Sequence, residues 1–112
     1  MSNCATEFQI IRGEQKDLQF TIKNSAGVVI DVSAATFLLE VEDMRTNTTM
    51  IQKADGTFDK TQAALGIVKT TLTGTDTDIT PNKYLAELRT TFVGGDVDKY
   101  QFDLEILYSV IA

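Results

Sequence analysis

Leu18, Phe20 and Ile22 alternate with Gln19, Thr21 and Lys23. This period of two sets three apolar side chains on one face of an extended strand and three polar ones on the other. Asn24-Ser25-Ala26-Gly27 follows with turn chemistry, and the β-branched run Val28-Val29-Ile30 predicts a short strand after it. The alternation returns in Phe37, Leu39 and Val41 against Leu38, Glu40 and Glu42, and in Val68, Thr70 and Leu72 against Ile67, Lys69 and Thr71. It recurs in Tyr84, Ala86, Leu88, Thr90 and Phe92, and most cleanly in Tyr100, Phe102, Leu104 and Ile106 against Gln101, Asp103 and Glu105. A chain built from half-apolar strands buries those faces by stacking one layer on another.

The remaining segments fit the same plan. Phe8 and Ile10 mark a first strand within Thr6 to Arg12, Met44 to Thr49 reads as a loop, and Met50-Ile51 as a short strand. Ala54-Asp55-Gly56-Thr57 carries a turn, and Thr61 to Leu65 forms one helical turn or a loop. Pro81 excludes a ladder position in the polar connection Thr73 to Asn82, and Gly94-Gly95-Asp96 reverses the chain into a hairpin. Phe37, Val41 and Met44 also match helical spacing over Thr36 to Arg45, but the flanking threonines and β-branched surroundings favour a strand. About seven to eight short strands at roughly eight- to twelve-residue spacing predict an all-β, antiparallel β-sandwich. Its core is expected from Leu18, Phe20, Ile22, Phe37, Leu39, Val41, Val68, Leu72, Tyr84, Leu88, Phe102, Leu104 and Ile106. Nothing divides residues 1–112, so a single domain is expected.

Charge and composition narrow the partners. Ten basic against sixteen acidic residues leave a net charge of −6, which disfavours nucleic acid and anionic membrane surfaces. No run approaches the ~20 apolar residues of a membrane span. Cys4 is the single cysteine, so no intramolecular disulfide is expected, and Met1-Ser2-Asn3 is no signal segment for lipid attachment. Asn47-Thr48-Thr49 matches a glycosylation triplet without further support for secretion.

Candidate chemistry is sparse. The absence of histidine removes the usual base near neutral pH and the commonest transition-metal ligand. No catalytic residue, metal site or cofactor is predicted, and the chain is not expected to be an enzyme. Asp103 and Glu105 share a strand face, where a solvated outer surface explains them. Asp76 with Asp78, or Asp96 with Asp98, could offer oxygens to calcium, but Asp in such connections more often closes local turns.

Arg12-Gly13-Glu14, Leu18-Gln19-Phe20-Thr21-Ile22 and Gly27-Val28-Val29-Ile30-Asp31-Val32-Ser33-Ala34-Ala35-Thr36-Phe37 together resemble the N-terminal domain of the phage baseplate upper protein and related immunoglobulin-like domains of tailed-phage structural proteins. The block Leu72-Thr73, Asp76-Thr77, Pro81-Asn82-Lys83-Tyr84 and Glu87-Leu88-Arg89 is similar to the same family, with Ala35 and Asn82-Lys83 standing where glycine is usual. Asn82 tolerates positive φ, so the glycine geometry is expected to survive there.

The resemblance implies an immunoglobulin-like fold and a non-catalytic component of a baseplate, tail or neck. Its place would be the virion, or the host cytoplasm before assembly, and its partners other virion structural proteins. The alternative is a loop-based binding module for a receptor or carbohydrate, which needs exposed aromatics, whereas Tyr84 and Tyr100 are predicted to face inward. At the other extreme of the chain, Leu107, Tyr108, Val110 and Ile111 carry no charge and would present an apolar edge. They are therefore predicted to form an interface in a homo-oligomer.

Overall fold

The computed structural model describes residues 7–110. Seven strands run in order: β1 (Glu7–Ile11), β2 (Lys16–Thr21), β3 (Thr36–Asp43), β4 (Thr48–Lys53), β5 (Ile67–Leu72), β6 (Asn82–Thr91) and β7 (Val97–Leu107). One sheet has the order β1-β7-β6-β3-β4 and the other is β2-β5. In immunoglobulin terms β3, β6 and β7 occupy the C, F and G positions, β4 that of C′, and β2 with β5 those of B and E. Every pairing between these strands is antiparallel except that of β1 with β7, which is parallel.

Period two becomes burial directly. In β5 the inward Val68, Thr70 and Leu72 are buried and the intervening Ile67, Lys69 and Thr71 half-buried; β6 and β7 repeat the pattern around Tyr84, Leu88, Phe102, Leu104 and Ile106. Phe37, Leu39 and Val41 are buried on a strand, so the helical alternative over Thr36 to Arg45 is not taken. The connections add Val32, Ala35, Phe58 and Ala63 to the core, covering the larger sheet where the two-stranded one is too narrow to reach.

Several boundaries differ from expectation. Val28-Val29-Ile30 forms no strand. A single Lys23–Val29 bridge, with Asn24 N–H donating to Val28 O and Ile30 N–H to Ile22 O, closes that hairpin, Asn24 Oδ1 accepts the Ala26 and Val28 N–H groups, and Val28 and Val29 stay exposed. β-branched residues favour extended backbone but supply no partner strand. β4 starts earlier than Met50, because Asn47 at φ 53 turns the chain and leaves Thr48 and Thr49 to pair with β3. Thr61 to Leu65 contains a single 3-10 turn, Ala63–Leu65. Asn82 is the extended first residue of β6, and among the described residues the one non-glycine at positive φ is Asn47.

The crossing from the small sheet to the large one is locked by polar groups. Asp55 Oδ1 accepts the Phe37 N–H at 2.9 Å and pairs with Lys60 Nζ at 2.6 Å, while Lys60 Nζ donates to Ala35 O at 3.1 Å. At the opposite corner the Tyr84 hydroxyl donates to Thr80 O at 2.5 Å. This is the tyrosine corner of immunoglobulin-type sandwiches, a tyrosine near the start of strand F bonding back a few residues upstream. Burial, and next the Asp43 carboxylate, push the Tyr84 hydroxyl above its ordinary pKa, so it stays a donor. Tyr84→Phe removes this bond and leaves Thr80 O, on an exposed residue, to water, so a loss of about 0.5–1.5 kcal/mol by urea denaturation is expected.

Candidate assembly surface

Strand direction brings three segments to one pole of the sandwich. The turn after β1 (Arg12-Gly13-Glu14), the connection after β5 and the residues following β7 all lie there. The two loops are fastened together. Thr77, fully buried, donates its hydroxyl to Glu14 O at 2.7 Å, and Gly13 N–H donates to Thr77 O at 3.3 Å. Gly74 passes so close that an added Cβ would stand 2.8 Å from Gly13 O. Arg12 Nε pairs with Asp78 Oδ1 at 3.0 Å across the gap. Between them opens a cleft of about 810 Å³ lined by Arg12, Gly13, Glu14, Thr75, Asp78 and Tyr108, among others.

The predicted interface residues separate at this pole. β7 lies between β1 and β6, so it is no sheet edge; the edge expected there belongs to β1. Leu107 ends β7, half-buried and in register with Ile11, and Arg12 N–H donates to Leu107 O at 3.0 Å. Beyond it the chain leaves the sheet with Tyr108 83% and Val110 101% exposed. Ile111 lies outside the described residues. Ile11, 45% exposed, completes the apolar group. Its contribution was missed from sequence because only the β1–β7 register puts it beside Leu107.

The loop carboxylates weighed for calcium are engaged otherwise or left in solvent. Asp78 pairs with Arg12, and Asp76 Oδ2 meets Lys53 Nζ at 2.5 Å and accepts the Thr73 N–H at 2.8 Å. Asp96 in the β6–β7 turn and Asp98 at the start of β7 stand exposed. Among the described residues, no three of His, Cys, Asp and Glu gather closely enough to hold a metal ion.

Asp76 also sets an acid limit. Burial raises its pKa, but bonds from Lys53 and Thr73 outweigh this and hold it below the ordinary value; Lys60 does the same for Asp55. Groups depressed in the folded state stabilise it fully above their unfolded pKa of 3.8, and that stability is lost as pH falls through the folded values. The melting temperature is expected to fall as pH drops below about 4, with a shallower fall in Asp76→Asn.

On the outer face of the larger sheet Glu40 stands opposite Glu87. Neighbouring amides hold them, Gln52 Nε2 donating to Glu40 at 3.2 Å and Gln101 Nε2 to Glu87 at 3.1 Å. Asp103 and Glu105 share this face, in register with Leu85 and Lys83, and Gln9 Nε2 donates to Glu105 at 3.0 Å.

No protein-family profile matches this chain, and no curated protein matches its sequence. Among solved structures, the crystal structure of CopC from Methylosinus trichosporium OB3b superposes with a TM-score of 0.56, over 96% of this chain and 90% of that one, at 9% identity. The likeness is one of fold. CopC supports the β-sandwich reading, and at that identity its residues transfer no site to this chain. No helix among the described residues is long and apolar enough to cross a membrane.

Proposed function

We propose that this chain is a non-catalytic assembly module that works through protein–protein contacts, as a component of a phage or prophage virion in the baseplate, tail or neck. The observation that carries the assembly reading is the pole itself. Tyr108 and Val110 stand in solvent where the chain leaves β7, at the pole where the buried Thr77 and the Arg12–Asp78 pair fasten the two neighbouring loops together and where Ile11 is exposed. Apolar side chains left in water beside loops already fastened favour a partner, because docking buries them without an ordering cost for those two loops. The virion setting rests on the motif resemblance over Arg12 to Phe37 and Leu72 to Arg89. It is tested by mass spectrometry of purified particles carrying the tagged chain. Co-purification is expected for the wild type, with reduced incorporation of Tyr108→Ser/Val110→Ser despite an unchanged circular-dichroism spectrum. A chain absent from particles overturns the virion reading.

One observation favours a second reading, a loop-based binding module. Tyr108 is exposed on the rim of the 810 Å³ cleft, whereas Tyr84 is buried and Tyr100 half-buried against the core. An aromatic face beside an Arg–Asp pair suits a saccharide, which stacks a C–H face and hydrogen-bonds its hydroxyls. A glycan array with wild type and Tyr108→Ser decides it, binding that needs Tyr108 being the supporting result and no bound glycan the opposing one.

A further inference from the structure

We propose that β1 is the docking edge for a second copy of this chain, added antiparallel across a twofold axis at Gln9 so that two five-stranded sheets become one. This deepens the assembly reading, on which it rests, by naming one partner.

The two edges of the larger sheet are built differently. β4 carries two devices that discourage pairing. Its register with β3 shifts between Val41 and Glu42, leaving Met50 as an extra residue, and Lys53 is turned inward, 14% exposed, onto Asp76. β1 carries neither. Its register with β7 runs unbroken from Glu7–Asp103 to Ile11–Leu107, it contains no proline or glycine, and its inward residues are Phe8 and Ile10.

Strand alternation also fixes which main-chain groups are open. Arg12 N–H donates to Leu107 O, so Ile10 and Phe8, two and four residues back, direct their N–H and C=O groups to β7 as well. Gln9 and Ile11 therefore point theirs away from β7, although Ile11 O accepts the Glu14 N–H at 2.9 Å. An axis at Gln9 sets Gln9 against Gln9, Phe8 against Ile10 and Glu7 against Ile11. The two Gln9 residues then form a hydrogen-bonded pair, and each Ile11 N–H faces the other copy's Glu7 C=O, about four main-chain bonds in all.

The strand is its own complement. No like charges oppose one another in this register, and the edge presents no charge at its centre that would select a basic or acidic stranger. Phe8 is half-buried, edge-on to Phe102 with centroids 5.2 Å apart, and the second copy's strand covers its open side.

Three proteins test the axis. By light scattering coupled to size exclusion, the wild type is expected to pass from monomer to dimer with rising concentration. Gln9→Lys places like charges face to face at the axis, yet within one copy its ammonium lies beside Glu105 in the register position Gln9 now holds. It is expected to stay monomeric with a melting temperature no lower than wild type. Gln9→Cys in a Cys4→Ser background is expected to crosslink under mild oxidation, because a hydrogen-bonded antiparallel pair sets its Cα atoms about 5.5 Å apart, within disulfide range. A wild type that is monomeric at every concentration, a dimer that Gln9→Lys leaves intact, or no crosslink overturns the proposal. A dimer insensitive at Gln9 but lost in Tyr108→Ser/Val110→Ser moves the contact to the loop pole and spares the assembly reading.

Discussion

Phe102→Ala is expected to lower the unfolding free energy by about 3–5 kcal/mol, measured as a shift of the urea midpoint at unchanged slope. Phe102 is 1% exposed, and three rings converge on it: Phe8 at 5.2 Å edge-on, Phe20 at 5.7 Å from the facing sheet, and Tyr100 at 5.7 Å stacked. Truncation removes the apolar area of one ring and also the contact surface of the others. The cavity cannot collapse readily, because Phe20 is held by β2–β5 pairing and Phe8 by β1–β7 pairing. For a domain whose total stability is of order 5–15 kcal/mol, a loss of this size brings unfolding near the growth temperature. A shift below about 1 kcal/mol would contradict the packing described.

Gly66→Ala is the second large effect, of about 2–5 kcal/mol. Gly66 sits at φ 78, and a Cβ there would lie 2.9 Å from both Ile22 O and Ile30 O. The left-handed conformation alone costs a non-glycine residue roughly 1–2 kcal/mol. Forcing packed backbone aside adds roughly 1–3 kcal/mol. Both contacting atoms are main-chain, and Ile22 N–H donates to Gly66 O at 2.7 Å while Ile30 N–H donates to Ile22 O at 3.2 Å, so relief requires breaking these bonds. Gly27→Ala separates the two contributions. Gly27 has φ 80 with nothing within 4 Å of the added carbon, so only the conformational cost of roughly 1–2 kcal/mol applies. Equal losses at the two glycines would show that the clash at Gly66 is absent.

Alternation made the faces of β2, β3, β5, β6 and β7 legible because burial of every second side chain is the property that period two encodes. It encodes neither neighbour nor direction. Nothing in Phe8 and Ile10 says that β1 runs parallel to β7, so the last strand looked like an edge when it is interior. Val28 to Ile30 carries the composition of a strand, but its pairing with Ile22 to Asn24 stops at one bridge, too short for a ladder. The loop pole was hidden for a related reason. Arg12 and Asp78, or Glu14 and Thr77, meet only after the sandwich has closed, and their local surroundings read as ordinary turn. Pro81 with Tyr84 was the one local trace of the corner that holds this connection in place. Lys53 is the clearest failure of polarity as a guide, since its ammonium is drawn inward by an aspartate more than twenty residues further along.

The parallel β1–β7 pair joins Gln9 to Glu105 across 96 positions. At ribosomal rates of about 5–20 residues per second, β1 therefore spends several seconds of synthesis without its neighbour. Hairpins such as β6–β7 close over a few residues, whereas this pairing closes a loop that spans β1 to β7 and bears its entropy. The strand that finishes the sheet is thus the one whose apolar face waits longest in water, and the nascent chain is most open to mispairing in the interval before β7 leaves the ribosome.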